Sequence, residues 1–111
     1  MNMKLYYGNK KIEIINYTSF WKRLKGFMFQ LEPIKQGIRF PKCRSIHTYF
    51  MFQNIDVIMT DKENKIIKMY PNLRSEKIIL PKRKVYYTYE LPVGVCNFYD
   101  IGDTLRIKEI D

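Results

Sequence analysis

Between Cys43 and Asp56 the chain gathers its only histidine, one of its two cysteines and an aspartate within an apolar, strand-like run: Cys-Arg-Ser-Ile-His-Thr-Tyr-Phe-Met-Phe-Gln-Asn-Ile-Asp. His47 is the one side chain whose ordinary pKa lies near neutrality. On a strand, Cys43 stands four residues back on the same face, a spacing that suits a thiolate and imidazole pair. Such a pair also needs a third group to orient it and donors for an oxyanion. Neither can be assigned from the sequence, so a packed, hydrogen-bonded ring at the sheet surface is the simpler expectation for His47.

Asp56 poses a different problem, because an ionised carboxylate in an apolar strand needs a partner or hydrogen-bond donors. Arg23 is the expected partner, tying a helix to the sheet, and the same pair can bind a ligand's polar group. Glu90 is the second carboxyl that acid/base chemistry at Asp56 would require. Asp103, beside Gly102, reads as a turn former. A structural zinc wants four nitrogen or sulfur ligands, and one histidine with two cysteines falls short, so neither metal nor cofactor is expected. Tyr86, Tyr87 and Tyr89, with Tyr49, Phe50 and Trp21, offer rings for stacking sugars or bases. The chain carries no signature of a nucleic-acid-binding module, and strand tyrosines are usually half-buried packing.

The elements that must position these residues are mostly short strands. Met3 to Tyr7 and Lys10 to Ile15 flank Gly8-Asn9, a turn suited to a hairpin. Thr18 or Ser19 caps an expected helix near residues 19–28, along which Phe20, Leu24, Phe27, Met28 and Leu31 recur at helical spacing. Gly26 inside it signals a close backbone approach or an early end. A short strand is expected at Ile38 to Phe40. From Cys43 a period-two pattern puts Cys43, Ser45, His47 and Tyr49 on one face, and Ile46, Phe50 and Phe52 on the other, interrupted by Thr48. Ile55 to Thr60 and Ile66 to Tyr70 form a second hairpin about Asn64. Val85 to Leu91 and Thr104 to Lys108 are further strands. Strands joined by short hairpins with one principal helix predict an α+β fold, a mostly antiparallel, curved or barrel-like sheet, in a single domain over residues 1–111.

Composition agrees. The 111 residues are 46% hydrophobic and 15% aromatic, enough for a compact core without disulfides. Cys43 and Cys96 match no metal or redox spacing. Lys and Arg number 20 against 11 Asp and Glu, a formal charge of +9 that creates a weak general attraction to anionic surfaces. Local basic clusters occur only at Lys22, Arg23 and Lys25 and at Lys82, Arg83 and Lys84, so a solvated basic surface is expected and nucleic acid is not. No apolar run approaches the ~18 residues of a membrane span, and the N-terminus lacks the apolar core of a secretion signal. A cytoplasmic location with reduced thiols is expected, unless an export signal was removed before the numbering begins.

Arg23-Leu24-Lys25-Gly26-Phe27-Met28, then Ile46-His47-Thr48-x-Phe50-Met51, Ile55-Asp56-Val57 and Asp61, then Glu90-Leu91-Pro92-Val93-Gly94 and Gly102-Asp103, form an ordered series over roughly residues 18 to 108. The series resembles the domain of unknown function 192 family. Here His47 takes the place of the family's usual Trp, Thr48 that of a Met, Met51 that of a Thr, and Asn54 that of a Pro, while Asp56 is kept. The resemblance implies a small, largely β, barrel-like α+β domain without an established general activity. It also implies export signals or lipid anchors in many members, which this N-terminus does not show.

The resulting expectation is a non-enzymatic binding or accessory module. A polar and aromatic patch around Arg23, His47, Thr48, Tyr49, Asp56 and Glu90 would meet a small ligand, a peptide or a partner protein. The alternatives are a small hydrolase or lyase using Asp56 with His47 or Glu90, and charge-driven binding to nucleic acid or a membrane surface.

Overall fold

A computed structural model describes residues 2–19, 26–28, 30–48 and 51–110. Nine strands occur among them: β1 (Asn2–Tyr7), β2 (Lys10–Asn16), β3 (Gly37–Pro41), β4 (Ile46–His47), β5 (Ile55–Thr60), β6 (Ile66–Leu73), β7 (Ile78–Ile79), β8 (Tyr87–Leu91) and β9 (Arg106–Ile110). Seven form one sheet in the order β6-β5-β8-β3-β2-β1-β9, and β4 pairs with β7 in a separate ribbon. All pairings are antiparallel except β2 with β3. The sheet curls into a half-barrel. A Lys65–Thr104 bridge links the start of β6 to the approach to β9, so the two edges of the sheet meet at one corner.

The α+β class expected from the sequence is corrected: the described chain is almost all β. Its one helical element is a single 3₁₀ turn, Val95–Phe98. Residues 26–28 form a turn rather than the end of a helix, and Gly26 has a φ of 49° that a right-handed helix does not accommodate. Residues 20–25 of the expected helix lie outside the described residues. Leu31, assigned to the helix's apolar stripe, is 80% exposed.

Alternation builds the sheet's two faces. On β5 and β8, Ile58, Tyr89 and Leu91 join Met3, Leu5 and Ile14 in one core, closed by Val95, Cys96, Tyr99 and Leu105. Ile55, Val57 and Met59 face the other way and pack with Ile38, Phe40, Phe27, Ile79 and Val85. Interior strand β5 is therefore buried at every position. This is why its sequence reads as an apolar run in which only Asp56 and the terminal Thr60 are polar.

The two hairpins form about Gly8 and Asn64, both at positive φ. Tyr89 donates its hydroxyl proton to the Asn64 side chain, fixing the second hairpin to the core. The expected long strand from Cys43 shortens to the two residues of β4.

Candidate functional site

Asp56 is 1% exposed and is held by backbone donors. Opposite it, the register of β6 slips: Ile55 pairs with Leu73 and Val57 with Tyr70, so Pro71 and Asn72 together face Asp56 in a β-bulge. Proline has no N–H to give. The Asn72 N–H, turned out of the ladder, donates to Asp56 Oδ1 at 2.8 Å. Asp56 Oδ2 accepts from Gly94 at 3.0 Å and Cys96 at 2.9 Å. These are donors at the start of the 3₁₀ turn, where backbone N–H groups lack partners within the turn. Gly94 reaches its position with a φ of 115°, open to glycine at little cost. These three backbone donors satisfy both carboxylate oxygens without a cation. Arg23, the partner expected for Asp56, lies outside the described residues.

Glu90 is buried in a contrasting setting. Its register partners are Ile38 on β3 and Val57 on β5, both apolar, and Oε1 has no hydrogen-bond partner. Burial pushes its pKa from 4.5 up to about 7, against a smaller lowering by the Phe27 backbone. The Gly26 turn lies over it, and a Cβ at Gly26 would come within 2.9 Å of Glu90 Oε1. The two candidate carboxylates do not converge. Val57 is opposite Glu90 and Asp56 is opposite Leu91, so their side chains leave the sheet in opposite directions.

Thr48 is 1% exposed and fastens a loop. Its hydroxyl donates to the Arg74 carbonyl at 2.7 Å and accepts from the Lys77 N–H at 2.8 Å. Its backbone N–H donates to Lys77, and its carbonyl accepts from Glu76. Asp56 and Thr48 thus grip the two ends of the segment from Asn72 to Lys77. A buried threonine at this point breaks the strand alternation expected from Cys43 onward, because its hydrogen bonds go to a loop rather than a ladder.

His47 is half-buried on β4, opposite Ile78 on β7. The ribbon's other face carries Ile46 and the buried Ile79 into the second core. Ile78 lies on the same outward face as His47 and is 58% exposed; Leu80, just past β7, is 68% exposed. Tyr49 lies outside the described residues.

Cys43 and Cys96 are both free thiols, in contact with different cores. The Cys43 thiol lies 3.1 Å from the Ser45 carbonyl. Burial, then the Asp56 carboxylate, raises the Cys96 thiol well above the ordinary thiol range. Among the described residues no three His, Cys, Asp or Glu side chains gather as a metal site. No described helix is long and apolar enough to cross a membrane.

The sequence reading omitted the backbone donors of Asn72, Gly94 and Cys96. Their only trace in the sequence is Pro92-Val93-Gly94, which follows the expected Val85 to Leu91 strand.

The DUF192 family model, described as "Uncharacterized ACR", matches residues 4–107. The chain belongs to this family. Two relatives are UPF0127 proteins. One, from Thermococcus sibiricus, is 32% identical over 92% of this chain and 68% of its own length. The other, from Pyrococcus abyssi, is 34% identical over 86% and 85%. Two crystal structures share the fold seen here, each with a TM-score of 0.75. A Novosphingobium aromaticivorans protein of unknown function is 13% identical, covering 97% of this chain and 84% of its own. A proposed transcription regulator from Sinorhizobium meliloti is 14% identical, covering 96% and 91%.

Proposed function

We propose that the chain is a non-enzymatic binding module that receives an extended peptide segment of a partner protein on the outward face of the β4–β7 ribbon. One observation carries this reading: Ile78, the register partner of the only histidine, and Leu80, two residues further on, are large apolar side chains more than half exposed. The ribbon itself is fixed from below by Ile46, Ile79 and the Thr48 hydrogen bonds. Contiguous exposed apolar side chains on a rigid support are characteristic of interaction surfaces. Arg44, Lys77, Arg83 and Lys84 are exposed close by in sequence, so the complementary segment is apolar with acidic flanks.

The reading is favoured over a hydrolase or lyase built on Asp56 and Glu90, because those carboxyl groups point to opposite faces and cannot flank one bond. Both Asp56 and Thr48 are occupied by the chain's own backbone: Asp56 accepts from the Asn72, Gly94 and Cys96 N–H groups, and the Thr48 hydroxyl donates to Arg74 and accepts from Lys77 in the loop leading into β7.

A thermal-shift screen of acidic, apolar heptapeptides tests it. A peptide that raises the Tm of the parent, and no longer does so for His47→Ala or for Ile78→Ser with Leu80→Ser, supports the site. Equal shifts in parent and variants would place the binding elsewhere.

A further inference from the structure

Strand pairing assembles a cationic surface that no stretch of the sequence contains. β1 pairs with β2 on one side and with β9, from the far end of the chain, on the other. On the face turned away from the Met3 and Leu5 core, the registers produce two rows across the three strands. Lys108, Lys4 and Glu13 form one row, and Arg106, Tyr6 and Lys11 form the next. Neighbours within a row are about 5 Å apart and the rows about 7 Å apart. Four cations therefore surround one tyrosine, with Glu13 the only acid among the described residues of the two rows.

Two features separate this from an ordinary solvated face. Lys4 and Lys108 are direct cross-strand partners, and like charges in that position destabilise a sheet. The arrangement becomes favourable once an anion lies between them. The face is also hollow. Tyr6, Gly8, Lys10, Lys11, Arg106 and Lys108 line a groove of about 600 Å³ beside the hairpin tip, and Lys35 and Gln36 line a second hollow of about 350 Å³ next to Lys4 and Lys11.

We propose that the outer face of β1, β2 and β9 binds single-stranded nucleic acid, with Lys4, Lys11, Arg106 and Lys108 on successive phosphates and the Tyr6 ring against a base. The occupant follows from the chemistry. Tyr6 lies half-buried among the cations, where a base can stack on it, and sequence-tolerant single-strand binding combines a positive groove with such rings. An anionic membrane would call for several apolar side chains free to insert beside the charges; the exposed large apolar residues lie outside these three strands, and Phe98, which reaches Gly8 at the hairpin tip, is held edge-on against the Tyr7 ring. The surface is separate from the β4–β7 ribbon, and either assignment can fail without the other.

The test is fluorescence anisotropy of a labelled 12-nucleotide oligouridine against the full chain over a range of salt concentrations. Four phosphate contacts predict that log K falls with log salt at a slope of about −2.8. Removing two of them with Lys4→Gln and Lys108→Gln brings the slope to about −1.4 and weakens binding at low salt at least about tenfold. Tyr6→Leu weakens binding several-fold at a salt concentration where charge is screened, while Tyr6→Phe retains it. Lys82→Ala with Arg83→Ala and Lys84→Ala leaves the affinity unchanged. Parent-like unfolding midpoints confirm that the variants fold, and Lys108→Glu, which pairs with Lys4, serves as a second charge-removing variant. Three results would each overturn the assignment: no oligouridine binding, equal loss from the 82–84 variant, or retention on phosphatidylserine vesicles without oligouridine binding.

Discussion

Asp56 and Glu90 sit one register step apart on hydrogen-bonded strands and send their carboxyl groups to opposite faces of the sheet. Their surroundings differ as much as their directions. Asp56 collects backbone N–H groups from Asn72, Gly94 and Cys96, whereas Glu90 has an oxygen with no partner among apolar neighbours. One carboxyl is placed where its charge is satisfied, and the other where the proton is favoured.

Asp56→Asn tests the first placement. An amide presents an NH₂ group to at least one of the three backbone donors, so hydrogen bonds become donor-to-donor contacts at a site that excludes water. The cost is about 2–4 kcal/mol, read as a lower urea midpoint with an unchanged m-value. A midpoint within about 0.5 kcal/mol of the parent would show that the carboxylate does not tie the bulge to the 3₁₀ turn.

Glu90 makes stability depend on pH in the direction opposite to a salt-bridged carboxylate. The folded chain holds the Glu90 proton up to about pH 7, whereas the unfolded chain releases it near 4.5. Because the folded state binds more protons in this window, its contribution is complete below pH 4.5, falls as pH rises and is lost above 7. The loss is on the order of 3 kcal/mol. In Glu90→Gln that fall disappears, so the difference in stability between variant and parent grows from pH 5 to pH 8. A constant difference over that range would mean that Glu90 titrates normally.

How much of this was legible depended on whether a residue's partner leaves a trace in the sequence. The hairpins at Gly8 and Asn64 were readable because a left-handed turn residue is visible as a residue type. The family series was readable because its motifs keep their order. The need for a partner at Asp56 was readable, but not which one. Backbone N–H groups exist at almost every residue, and only the bulge at Asn72 and the turn at Gly94 aim them at this carboxylate. The helix expected near residues 19–28 rests on local signals, a cap at Thr18 or Ser19 and helical spacing, whereas Gly26 takes a left-handed conformation above Glu90. The cationic face was invisible for a simpler reason. Lys4 and Lys108 stand at opposite ends of the chain, and charge runs report only local clusters.

The two cysteines are predicted to differ sharply towards thiol reagents. Cys96 is buried, and its thiolate would form beside the Asp56 carboxylate, so burial and like charge both oppose the reactive form. Cys43 is only half-buried and lies in a separate part of the structure. Titration of the native chain with a disulfide reagent at pH 8 is expected to modify Cys43 alone, with Cys96 reacting after denaturation. Native Cys43→Ser should then be inert. Rapid reaction of that variant would contradict the placement of Cys96 against Asp56.

Thr48 is the position where the support of the proposed peptide-binding surface can be tested apart from the surface itself. Thr48→Val keeps the side-chain shape and removes one hydroxyl that both donates to Arg74 and accepts from Lys77. Two part-buried backbone groups then lose a partner, at a cost of about 1–3 kcal/mol. Thr48→Ser, which retains the hydroxyl, should recover most of it. The effect should also be local: the Lys77 amide, whose acceptor is the missing oxygen, exchanges with solvent faster, while amides of the β1–β2 hairpin keep the protection expected from the measured change in global stability. Uniform acceleration at both places would mean that Thr48 contributes to the fold as a whole and does not specifically hold the loop leading into β7.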